Sequence, residues 1–177
     1  MTNRSNNVRR IALSGMLFAL AMALSVLEGF LVLPGLLPGM KLGLANVVVM
    51  YALLFMGAWQ ALVLDLLKAL FVFLVSGPTA GFLSLCGGLL SLLVMWALYH
   101  LPRRPTWFIL SVSGALAHNF GQLLGAGAIL SSAVSLYYAP VLLVLGLIMG
   151  SLTALTLKAL LPAMKRLGYS VSERPRR

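Results

Sequence analysis

Near the end of a long apolar stretch the chain reads GALAHNFGQLLGAG, which sets His118, Asn119 and Gln122 into what is otherwise hydrocarbon. An unpaired amide held at membrane depth costs on the order of 2–7 kcal/mol. Three strong hydrogen-bonding residues in five positions therefore mark either a polar ligand cavity or an interhelical hydrogen-bond network. On a helix, His118 and Gln122 share a face and Asn119 turns toward a neighbouring one. A second polar group follows the helix-breaking Pro34, Gly35, Pro38 and Gly39: Lys41, and Asn46 about one helical turn deeper. Lys41 is then either a lysine snorkelling to headgroups or the counter-charge for an anionic group on a ligand arriving from outside, with Asn46 as an orienting amide. Asn46 and the His118 group reach comparable depths, so together they could line one outward-opening pocket, with Tyr137 and Tyr138 near its mouth. A third group, Asp65 and Lys68, is spaced three apart and can pair on one helix face. It reads as a structural ion pair or as a proton or cation relay.

The elements that must position these side chains are set by hydropathy. The chain has 177 residues, 61% of them hydrophobic and only 9% charged, which is far from a soluble globular composition. Apolar runs near the length needed to cross a bilayer fall at about 10–28, 41–57, 59–76, 80–100, 106–131 and 136–162. The expectation is an all-α polytopic membrane protein, a single bundle of six transmembrane helices. Thirteen Lys and Arg face three Asp and Glu. They cluster at Arg4, Arg9 and Arg10, at Arg103 and Arg104, and from Lys158 through Lys165, Arg166, Arg174, Arg176 and Arg177. The positive-inside rule puts all three clusters in the cytoplasm, which agrees with an even number of spans and with both termini inside. The outward connections are then LPGLLPG at 33–39, SGPT at 76–79 and SSAVSLYY at 131–138, and these are candidate lids.

Several chemistries are poorly served by this sequence. The basic residues have no soluble platform or interleaved aromatics for nucleic acid. Cys86 is the only cysteine and sits among apolar neighbours as a small packing residue. No phosphate-loop motif is present, so energy from ATP would have to come through a partner. No Asp-rich cluster offers to hold magnesium against a diphosphate, and Asp65 reads as the only acidic residue well inside the spans. Arg9 and Arg10 followed by an apolar run with Ala19, Ala21 and Ala23 also fit a signal peptide, but that run continues to Leu27 and more spans follow. The first span carries Ala12, Gly15, Ala19 and Ala23 on one face, a stripe suited to close helix approach. It reads either as packing inside the bundle or as a dock for a separate membrane subunit. Similar runs occur at Ser84, Gly87, Gly88 and Ser91, and at Gly114, Ala117, Gly121 and Gly125.

The strings PGMKLGLAN at 38–46, Gly-Gly-Leu-Leu-Ser at 87–91 and AHNFGQLL at 117–124 together resemble the Gx transporter family. Its members are also labelled heptaprenyl diphosphate synthase component I, and it is related to the substrate-binding S components of energy-coupling factor transporters. The resemblance covers roughly residues 10–162. It implies an S-component fold, an outward substrate pocket under mobile loops, and partners: a transmembrane T subunit met by Gly15, Ala19 and Ala23, and two cytoplasmic ATPases. On this reading Lys41, Asn46, His118, Asn119 and Gln122 bind a small metabolite such as a vitamin or cofactor precursor, with no metal or cofactor and no catalysis by the chain. Two rival expectations are a membrane subunit of a prenyl diphosphate synthase and a solitary proton-linked carrier using Asp65, Lys68 and His118.

Overall fold

A computed structural model describes residues 3–30, 39–102, 105–129 and 132–166. The LPGLLPG connection up to residue 38, the Arg103–Arg104 loop and the basic C-terminal cluster beyond Arg166 lie outside the described residues. Among the described residues there are six helices and no strand: α1 (Asn3–Phe30), α2 (Asn46–Phe55), α3 (Ala58–Ser76), α4 (Pro78–Tyr99), α5 (Trp107–Ile129) and α6 (Ser132–Arg166).

Among the described residues, four stretches are long and apolar enough to cross a membrane: Ile11–Phe30, Ala58–Ser76, Pro78–Tyr99 and Tyr137–Pro162. The six expected spans are thus reduced to four that meet this standard, and the two shortfalls have different causes. α5 has 23 residues, but its polar cluster sits in the middle of the apolar run. The expected span at 41–57 is only the ten-residue α2. At 1.5 Å per residue it is about 15 Å long, roughly half of the hydrocarbon core. Residues 39–45 are not helical. Gly39 and Gly43 take φ values of 91° and 88°, a region that only glycine enters without strain, and they bracket Met40–Leu42.

Being short does not make α2 peripheral. Eight of its ten residues are buried, among them every position from Val48 to Leu54, the pattern of a helix enclosed on all sides. It packs on each of the other five helices. Around it the main apolar core gathers Leu17 and Ala21 of α1, Ala61 and Leu64 of α3, Met95 of α4 and Leu110 of α5.

Two of the expected lids are not lids. The SGPT segment shrinks to Gly77 alone between α3 and α4. Its φ of 92° turns the chain, and Pro78 opens α4 where its missing N–H costs nothing. Most of SSAVSLYY is helical, because α6 already begins at Ser132.

The small residues of α4 and α5 face each other. An added Cβ at Gly121 would lie 2.5 Å from the Cys86 carbonyl oxygen and 2.9 Å from the Gly87 Cα, so the two backbones are in contact at this point. A Gly121→Val variant must push α4 from α5. The expected loss is about 1–3 kcal/mol, read as a lower unfolding temperature in detergent; unchanged stability would show that this approach is dispensable. By contrast, Gly15, Ala19 and Ala23 lie on the exposed side of α1, opposite its buried Leu17, Ala21, Ser25 and Glu28.

Candidate ligand site in the polar core

The 39–45 segment descends between α1 and α5 and is held there by side chains from both. Gln122, fully buried on α5, makes a two-point contact with the backbone of Lys41. Its Oε1 accepts from the Lys41 N–H at 3.2 Å, and its Nε2 donates to the Lys41 carbonyl at 3.0 Å. The same Nε2 lies 2.7 Å from His118 Nε2. An amide nitrogen only donates, so His118 Nε2 is the acceptor and the ring proton is assigned to Nδ1. The carboxamide orientation follows in the same way, since only one flip serves both the N–H and the C=O of Lys41.

α1 grips the segment from the other side. The Lys41 ammonium donates to the Ser25 carbonyl at 3.0 Å, and the Leu44 N–H donates to the Glu28 carboxylate. Lys41 is therefore directed to protein rather than to headgroups. Asp65 is not the sole acid inside the bundle, because Glu28 is 6% exposed.

Asn46 lies beside this network and bonds to the charged pair. Its Oδ1 accepts from Lys68 Nζ at 2.9 Å, and Lys68 Nζ is 2.6 Å from Asp65 Oδ1. Both charges are buried, as an ion pair at this depth requires. The Asn46 Nδ2 has no hydrogen-bond partner. It lies close to Gly43, where an added Cβ would be 3.1 Å from Asn46 Nδ2 and 3.2 Å from the His118 Cδ2. The double glycine of α4 makes room for both polar groups: a Cβ at Gly87 would fall 2.7 Å from His118 Nδ1, and one at Gly88 would fall on the Asp65 carboxylate.

The structure thus brings together Lys41, Asn46, His118 and Gln122, and adds Asp65 and Lys68 to the same cluster. It does not bring in Asn119. That side chain is buried too, but its Nδ2 donates to the Leu142 carbonyl of α6 at 2.6 Å, so it ties α5 to α6. Tyr137 is 89% exposed, whereas Tyr138 packs beside Met40, Leu83 and Leu142. Ser25 and Glu28 are the participants that sequence reasoning missed. Ser25 acts through its carbonyl, which carries no sequence signal. Glu28 did carry one, as one of only three acidic residues in the chain.

A separate apolar cleft of about 630 Å³ lies between α1 and α3, lined by Ile11, Gly15, Phe18, Trp59 and Val63 among others. It does not touch the polar core.

Long apolar helices around a buried polar and charged centre define a multi-pass helical membrane protein. The model of the family described as heptaprenyl diphosphate synthase component I matches residues 17–160, and the chain belongs to that family. No curated protein and no solved structure matches it.

Proposed function

We propose that this chain is the substrate-binding membrane subunit, the S component, of an energy-coupling factor uptake transporter for a small metabolite. The observation that supports this best is the polar cluster of half-buried Lys41 with buried Asn46, His118 and Gln122, inside a bundle whose rim is apolar. The resemblance to S components adds the partners: a transmembrane T subunit and two cytoplasmic ATPases. The exposed stripe of Gly15, Ala19 and Ala23 gives the T subunit a face on which helices approach closely. Capture would occur from outside, with the chain in the cell membrane and both termini in the cytoplasm.

The family description supports a second reading, a membrane component of a prenyl diphosphate synthase; the word component itself points to partner subunits. In the polar core, Glu28 and Asp65 are each engaged by the chain, with the Leu44 N–H and Lys68 respectively. Among the described residues no three His, Cys, Asp or Glu side chains gather as metal ligands would.

Purification of the tagged chain from its host in mild detergent, with mass spectrometry of what accompanies it, separates these readings. A T subunit and two ATPases are expected, and an Ala19→Trp variant is expected to lose them while remaining folded, because a bulky ring on an exposed helix face disturbs only what docks there. Recovery of a soluble prenyl synthase instead would overturn the transporter assignment in favour of the second reading. Partners retained by Ala19→Trp would move the docking face elsewhere.

A further inference from the structure

The contact between Gln122 and Lys41 is a recognition event made within one chain. Gln122 offers one acceptor and one donor, and they are met by an N–H and a C=O separated by a single carbon, the Lys41 Cα. The carboxamide is not free to reorient, because its second N–H is held by His118 Nε2. The receptor is therefore rigid, buried and specific for a donor–acceptor edge of that spacing. The segment that occupies it is bracketed by the positive-φ residues Gly39 and Gly43, at which a short stretch can swing with little strain. Beside the edge, the Asn46 Nδ2 is a buried donor with no partner, on a side chain 8% exposed. The Lys41 and Lys68 ammonium groups lie in the same cluster, Lys68 paired with the Asp65 carboxylate.

We propose that Gln122 is the recognition element for a small ligand carrying an amide N–H and a carbonyl or carboxylate one carbon apart, as in N-acyl amino acids and short peptides. The Lys41 backbone holds that edge until the ligand takes its place. This deepens the reading of the polar core as a ligand site and rests on it. The ligand N–H donates to Gln122 Oε1, its carboxyl oxygen accepts from Gln122 Nε2, and the unpartnered Asn46 Nδ2 donates to the remaining oxygen. Displacement frees the Lys41 N–H, so binding should loosen residues 39–45 rather than protect them.

The test uses the full chain in lipid nanodiscs and two probes at tens of millimolar, N-acetylglycine and N-acetylsarcosine. They differ only in that the second has a methyl group in place of the donor hydrogen. Amide hydrogen exchange is read over residues 39–46. N-acetylglycine is expected to speed exchange at Lys41 by about tenfold, a local opening rather than global unfolding, and N-acetylsarcosine to leave it unchanged. Equal responses to the two probes, no response to either, or protection by both would overturn the proposal. A Gln122→Leu variant should lose the contrast, but the two-probe comparison on the unmodified chain decides the matter even if that variant fails to fold. The outcome is independent of partner capture: a probe contrast without ATPases would keep the edge recognition and remove the transporter assignment.

Discussion

An Asp65→Leu variant is expected to unfold at a much lower temperature than the parent chain in detergent, and the double variant Asp65→Leu with Lys68→Met to regain most of that loss. Removing the carboxylate leaves the Lys68 ammonium buried with the Asn46 Oδ1 hydrogen bond. Breaking one partner of a buried pair costs about 3–5 kcal/mol, whereas replacing both by apolar groups is often close to neutral. The double variant still strips Asn46 of its Lys68 bond, a loss of about 1–3 kcal/mol if water does not replace it, so recovery should be incomplete. Thermal unfolding followed by intrinsic fluorescence gives the stabilities. The same pair of proteins separates structure from relay: a stable double variant that still supports ligand uptake makes the pair structural, and a stable one that has lost it makes the charges part of transport.

Gln122→Leu should be of comparable severity for a different reason. One substitution strands the Lys41 N–H, the Lys41 carbonyl and His118 Nε2 together. Each buried group left without its partner costs about 1–3 kcal/mol, so the sum is on the order of 3–6 kcal/mol once some relaxation is allowed. Gln122→Glu should fall between, since a carboxylate keeps the acceptor for the Lys41 N–H but turns an oxygen toward the Lys41 carbonyl and His118. Exchange over residues 39–46 locates the damage, and thermal unfolding sizes it. A Gln122→Leu protein within about 0.5 kcal/mol of the parent, the range of an ordinary surface change, would mean that Glu28 and Ser25 hold the segment without help.

The helical membrane class was legible from hydropathy because apolar length is a one-dimensional property, and α3, α4 and α6 lie close to where it placed them. α2 was not. Its residues VVVMYALLF are as apolar as any lipid-facing span, and enclosure by five other helices leaves no mark in composition that lipid would not also leave. The signals that did differ were Gly39 and Gly43, whose positive φ values keep residues 39–45 out of the helix. At the site, residue type alone flagged Gln122, His118 and Asn46. Depth counted along separate helices could not reveal that Asn46 touches Lys68, or that Asn119 points to α6, because those facts depend on rotation about each helix axis. Backbone partners such as the Lys41 peptide and the Ser25 carbonyl have no residue type to read.

The bond from Gln122 to Lys41 spans 81 residues, and that separation bears on how the protein is made. A ribosome adding about 5–20 residues per second needs roughly 4–16 seconds to cover it. Throughout that interval the newly inserted N-terminal helices carry a bent, polar stretch whose counterpart has not yet been synthesised. Lateral release into lipid before α5 emerges would expose it to hydrocarbon, so biogenesis favours holding the early helices at the insertion machinery until the fifth arrives.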